Sequence, residues 1–446
     1  MSKADASIRS GARLRRELTL WDLVFYGIVL IQPTAPMPLF GVVAQEACGH
    51  VVTTILIAMC GMLFTAFSYG RMARAYPAAG SAYTYVGREL HPALGYMTGW
   101  SMALDYIVNP VLCTIWCSKA ALNILPELPY AFWVVFFATL FTGLNLRGIK
   151  ASARTNEALA AGLGVVIVLF FVYAIRHLAA GPAPDLLLPF YNPETFAWNH
   201  VLTGTSIAVL TYIGFDGIST LSEEVKDPQR NVLRATVLTC LITGILASAE
   251  VYLAQLVWPD YHTFPDVDTA YVHVAGRVGG PVLLQIVNFA LLVASIGSGS
   301  GAQLGAARLL YGMGRDNAIP KRFFGVLDER RSIPRNNVLF IGGIALIGGF
   351  LINYQLAAEL LNFGAFIAFM GVNLAAFTRY WLRSSDKRFA NLAPPLLGFL
   401  ICFYIWLNLR PVAKIAGASW LAFGIIWGAV RTRGFRREAV RFELPE

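Results

Sequence analysis

The chain has 446 residues, 57% of them hydrophobic and only 14% charged, where an ordinary soluble domain carries roughly 25% charged residues. Mean hydropathy is +0.58 and net charge +9. This excludes a soluble multidomain protein and points to an all-α integral membrane protein. The apolar runs are long rather than short and alternating, which excludes a membrane barrel. Basic residues cluster in short connecting segments, where they set topology, so no nucleic-acid partner is implied.

In chain order, residues 1–19 form a basic tail (Lys3, Arg9, Arg13, Arg15, Arg16), expected to be uncleaved because the run after it is too long for a signal-peptide core. Twelve transmembrane helices are expected at about 20–44, 51–75, 94–122, 130–146, 157–178, 200–222, 234–258, 281–312, 337–354, 357–382, 391–409 and 415–431. Residues 432–446 form the second tail. With the N-terminus in the cytoplasm, all but five of the 35 Lys and Arg residues fall on the cytoplasmic side. The exceptions are Lys119, Arg176, Arg277, Arg410 and Lys414. Both termini are therefore expected inside.

Two spans are interrupted. The first contains Gln32-Pro33-Thr34-Ala35-Pro36, and each proline removes a backbone donor and clashes with the preceding turn. The sixth contains Gly214-Phe215-Asp216-Gly217, a carboxylate between glycines that let the backbone open. Five spans separate the starts of these two, so they cross in opposite senses. Paired breaks of opposite sense predict a 5+5 inverted repeat of the leucine-transporter-like kind, over 20–180 and 181–382, with two additional helices over 383–431.

Broken helices expose backbone dipoles at mid-depth, where N-terminal ends favour anions and carboxylates favour cations. Asp105 falls near the middle of the third span with Asn109 one turn on. Asp216 is similarly deep. Two buried acids without a buried base need a cation or proton, and a substrate ammonium would supply one. Asp105 could instead make a structural hydrogen bond or relay a proton, and Asp216 could cap an inner half-helix. Gln32 and Thr34 belong to the first break. Ser298, in the small polar run 295–303 that ends at Gln303, either lines the site or permits close packing. Tyr106, Tyr212 and Phe215 are candidate aromatic walls for a cation, or packing residues. Glu250 is a third buried acid, read as structural or as part of an entrance.

Neither the six cysteines nor the six histidines have metal-ligand spacing, and no cofactor motif occurs. Cys113 and Cys117, one turn apart, read as packing residues. No P-loop, Ser-His-Asp or HExxH pattern suggests an enzyme.

LTLWDLV at 18–24, YPAAGSAYTYV at 76–86, GFDGISTLSEEVKDPQRNV at 214–232 and ARLLYGMGRDNAIPKRF at 307–323 resemble the amino acid–polyamine–organocation transporters along nearly the whole chain. SYGRMARAYPAAGSAYTYV at 68–86 and GWSMALDYIVNP at 99–110, with the span-six motif, resemble the bacterial putrescine importers among them. The resemblance implies twelve helices, alternating access, uptake at the inner membrane and proton coupling. It carries Asp105 and Asp216 over as motif positions. The first break is poorer in glycine than in amino-acid transporters of the group, and its prolines remove amides that would hold an α-carboxylate. The expected substrate is thus a small cationic amine such as putrescine, with a lipid bilayer around the protein. An amino-acid symporter or exchanger is the alternative. A membrane sensor is the reading from a different class, and the short tails weigh against it.

Overall fold

The computed structural model describes residues 18–76, 81–147, 153–221, 225–315, 319–328 and 333–431. Both expected tails, apart from the last residues of the first, lie outside them, as do parts of the 76–86, 214–232 and 307–323 motifs. The described residues form fifteen α-helices joined by short 3-10 and π turns, with no strand beyond two isolated bridges. Eight helical segments are long and apolar enough to cross a membrane, and three shorter apolar helices (Leu20–Ile31, Tyr130–Leu146, Arg335–Leu351) accompany them.

The first apolar run is two helices. α1 (Leu20–Ile31) starts on a capping box in which Thr19 Oγ1 accepts from Asp22 N (3.4 Å) and Asp22 Oδ2 accepts from Thr19 N (2.8 Å). It ends two residues before Pro33, and the chain turns through 32–39 before α2 (Phe40–Glu46). α3 (Val51–Ala75) follows. α4 (Ser81–Glu89), a nine-residue helix with no counterpart in the expected spans, leads into α5 (Pro92–Leu122). α6 (Tyr130–Leu146) and α7 (Ala153–Ala180) follow. Val165, Val168, Val172 and Ile175, on one face of α7, are each more than half exposed, as expected of a face turned to hydrocarbon.

The sixth run is again broken. α8 (Trp198–Ala208) passes into a 3-10 turn (Val209–Tyr212), and a second 3-10 turn (Phe215–Leu221) follows Gly214. α9 (Pro228–Val257) is continuous. α10 (Ala270–Arg315) is interrupted at Gly280 (φ 69°, ψ −169°), beside Pro281. Its first ten residues were expected to be loop. They form a helix because Tyr271, Val272, Val274 and Ala275 bury one face. After the short α11 (Lys321–Phe324) come α12 (Arg335–Leu351), α13 (Tyr354–Phe377) with a π turn at Thr378–Leu382, α14 (Phe389–Leu407) and α15 (Pro411–Arg431).

Packing follows a pattern. α3 lies along α9, α5 along α10, α6 along α12, and α1 against α9 and the second 3-10 turn of the sixth run. α13 packs on α5, α3 and α14. α15 is fixed to α5 by Trp100 and Trp420, stacked at 4.9 Å, each indole N–H donating to the other's backbone carbonyl at 3.0 Å.

Four of the five basic residues expected outside have structural partners, Lys414 Nζ donating to Leu407 O (2.9 Å). Arg410 Nε donates to both oxygens of the fully buried Glu359 (2.7 and 2.9 Å). Arg277 lies over the Trp258 ring at 4.8 Å. Lys119 Nζ pairs with Asp266 Oδ2 (3.2 Å) and Asp268 Oδ2 (3.9 Å), tying α5 to the loop before α10. Burial, and then the neighbouring Asp266 carboxylate, push Asp268 up to about 6 from 3.8, against the opposing pull of Lys119.

An acid whose folded value is raised stabilises the fold fully below the unfolded value, and that contribution is lost as pH rises through the folded one. The fold should therefore be more stable at pH 5 than at pH 7 by about 1 kcal/mol, because protonation relieves the burial of the Asp268 charge and its repulsion by Asp266, although it weakens the pair with Lys119. In detergent, Tm should fall between pH 5 and 7 for the wild type, and by less for Asp268→Asn. Parallel curves would refute the assignment.

Candidate functional site

The break after α1 is held open by geometry that local sequence sets. Gln32 takes φ 70°, a left-handed conformation for a non-glycine residue. Its side chain donates to Ala294 O of α10 (3.2 Å), which anchors the break to a neighbouring helix. Thr34 is buried, and its carbonyl accepts from Met37 N (3.1 Å), while Pro33 and Pro36 are buried inside the same turn. Gln32 and Thr34 thus shape the break.

The second break meets the first. Gly214 sits at φ 122°, which an L side chain rarely adopts, and a Cβ placed there would lie 3.3 Å from the Leu30 carbonyl oxygen. A Cβ at Gly217 would fall 2.7 Å from Leu30 Cδ1, and one at Gly27 would fall 2.5 Å from Ile218 Cδ1. Small residues on both sides let the two interrupted runs touch. The backbone amides of Gly214, Asp216 and Gly217 face the Asp216 carboxylate. These N–H groups favour negative charge at that position.

Asp105 of α5 lies within electrostatic range of Asp216, and Tyr106 within range of both. Among the described residues no Lys or Arg reaches either acid, and the Asp105 carboxylate has no hydrogen-bond partner. Tyr106 is 40% exposed and packs on α10, where a Cβ at Gly305 would lie 3.1 Å from its ring. One turn along α5, Asn109 Oδ1 accepts from Cys113 Sγ (3.3 Å), and Ser298 of α10 bonds the same thiol.

The small run of α10 mixes polar contact with close packing. Ser298 joins the polar line from Asp105, whereas Gly299 is pressed against Cys113 and Phe141. Gln303 is spent on structure: its amide donates to Thr142 Oγ1 (3.0 Å) and Val338 O (3.1 Å), and its oxygen accepts from Asn145 (3.0 Å).

Two expected aromatic walls are packing residues. Tyr212 is fully buried with its hydroxyl donated to Ile55 O (2.9 Å). Phe215 turns its ring to Tyr69 (5.4 Å, edge-on) and Phe369 (5.5 Å). Tyr69 itself is a residue that sequence reasoning passed over. Its hydroxyl is buried without a hydrogen-bond partner among the described residues, within electrostatic range of Asp216 and Tyr106. The signal available was its place in the 68–86 motif.

Two further deep acids also escaped notice. Glu89, 2% exposed, binds Arg379 Nη1 (2.5 Å), Arg383 Nη1 (3.0 Å) and the Tyr76 hydroxyl (2.6 Å). Glu359 binds Arg410. Both have basic partners, and Asp105, Asp216 and Glu250 have none among the described residues.

Interrupted helices that meet inside an apolar bundle are an architecture of membrane transporters, and the chain is of that class. The profile of the amino acid permease family matches residues 26–421, and the chain belongs to that family. It is 34% identical to the low-affinity putrescine importer PlaP of Escherichia coli K12, with 97% of each chain covered. It is 28% identical to the methylthioribose transporter of Bacillus subtilis, covering 94% of this chain and 92% of that one. It is 26% identical to the branched-chain amino acid permease BcaP of Lactococcus lactis, covering 95% and 97%.

Proposed function

We propose that this permease imports a small organic diamine, putrescine foremost, across the bacterial inner membrane by alternating access with proton coupling. The observation that carries the reading is Asp105, a carboxylate without a base or hydrogen-bond donor, in range of a second carboxylate. Two acids in electrostatic range of each other need positive charge or a proton between them, and an alkyl diammonium ion supplies charge at both ends. The amides at the second break face Asp216, so a substrate carboxylate would have to displace it. That weighs against an α-amino acid. The 34% identity to a putrescine importer supports the same substrate.

In this reading the twelve apolar runs cross the membrane with both ends inside. The pairings α1 with the sixth run, α3 with α9, α5 with α10 and α6 with α12 each join spans five apart, which supports the 5+5 repeat. A dication gains about 4.6 kcal/mol per 100 mV, on the order of a thousandfold accumulation. Gln32, Thr34, Asn109 and Ser298 complete the site around Asp105, Tyr106 and Asp216.

The relatives that carry amino acids support a second reading, an amino-acid symporter or exchanger. Uptake of radiolabelled putrescine by the purified protein in liposomes, with amino acids as competitors, decides between them. The diamine reading predicts saturable putrescine uptake that neutral amino acids leave unchanged. Transport of neutral amino acids with diamines ignored would overturn it.

A further inference from the structure

Glu250 is fully buried in α9, and neither carboxylate oxygen has a hydrogen-bond partner among the described residues. The proposed diamine site does not use it. Glu89 and Glu359 are also buried acids, and each has arginine against both of its oxygens. Glu250 is kept differently, and burial without a partner makes its charged form costly.

Its surroundings define what it can exchange with. α9 packs against α1, α3, α7, α10 and both 3-10 turns of the sixth run. Tyr271 of α10 is the titratable group in electrostatic range of Glu250, and its hydroxyl is also buried without a partner. Tyr271 is held against Phe40 of α2 (5.7 Å) and Phe170 of α7 (4.7 Å), so four helices meet around this pair. No Lys, Arg or His of the described elements comes into range.

A polar stripe runs along the same buried face of α9 toward the helix breaks. Thr243, two turns and about 10 Å from Glu250, has a buried hydroxyl with no partner. One turn further are Thr239, whose hydroxyl donates to Val24 O of α1 (3.5 Å), and Cys240, in electrostatic range of Asp216. Positions 250, 243, 239 and 236 share one helix face. The stripe links an uncompensated acid near one end of α9 to the acid at the break.

We propose that Glu250 is the proton-carrying carboxylate of the transport cycle. A proton from water outside forms an O–H bond on the carboxylate when the outer end of α9 is exposed. The neutral acid persists while the group is buried as seen here. The proton returns to water on the cytoplasmic side when the cycle opens inward, and no other bond changes. The inference rests on the transport reading, but not on which substrate moves.

The test uses wild type and Glu250→Gln in liposomes, with two assays of labelled putrescine. One is exchange without gradients. The other is accumulation driven by an inward proton gradient with the membrane potential clamped. Wild type should do both. Glu250→Gln should exchange within about threefold of wild type, fail to accumulate under the proton gradient, and lose the pH dependence of uptake. Gradient-driven accumulation by Glu250→Gln at the wild-type level overturns the proposal. So does loss of exchange in a variant that unfolds at the wild-type temperature, since Glu250 would then serve substrate movement itself.

If Glu250→Gln does not fold, Glu250→Asp decides. A displaced pH profile with unchanged exchange supports the assignment, and an unshifted profile overturns it. If wild type ignores putrescine, the diamine reading fails by itself, and the same assays with a transported amino acid still read Glu250.

Discussion

Putrescine uptake by the Asp105→Asn variant should fall by at least about a hundredfold, while the protein inserts and unfolds near the wild-type temperature. Asparagine keeps the shape of the side chain and removes its charge. Truncating one partner of a buried charge pair costs roughly 2–5 kcal/mol, which spans about thirty- to several-thousandfold in affinity. Asp105 belongs toward the upper part of that range, because nothing else among the described residues balances it. Asp216→Asn should cost less in binding and more in stability. Its side-chain oxygen would still accept from the amides at the break, but with neutral rather than charge-assisted bonds. Initial rates at substrate concentrations far below saturation, paired with thermal unfolding, separate the two effects. Normal uptake by both variants would remove the cation-pairing argument.

What the sequence made legible was local. Each expected span coincides with a helix or a broken helix, because apolar runs of membrane length are read from neighbouring residues. The breaks were legible for the same reason: Pro33 and Pro36 cannot continue α1, and Gly214 permits φ 122°. The Gly214–Leu30 approach brings the two breaks together.

Long-range partners were not legible. Glu89 lies 290 positions from Arg379, and Glu359 lies 51 from Arg410. No periodicity reports such pairs, so these acids could not be told from Asp105 beforehand. Tyr212 failed in the opposite direction. Its neighbours in sequence suggested a binding wall, and its hydroxyl is taken by Ile55, 157 positions away.

Arg410→Met should lower stability by about 3–5 kcal/mol, the usual cost of stripping the partner from a buried ion. Glu359 is 0% exposed and receives both of its strong hydrogen bonds from one guanidinium nitrogen. Without Arg410 it would face the field of Glu46 with no compensating cation among the described residues. The double variant Glu359→Gln/Arg410→Met should recover most of that loss, because it leaves no buried charge to satisfy. The single variant Glu359→Gln should fall between the two, since Arg410 is 30% exposed and can turn to water. Putrescine exchange by the surviving double variant should stay near wild type, as this pair joins α13 to the start of α15 and does not touch the helix breaks. Thermal unfolding of the four proteins in one detergent closes the cycle. A coupling energy near zero would mean that the arginine serves topology alone and that Glu359 is carried neutral. It would then stand with Glu250 rather than with Glu89.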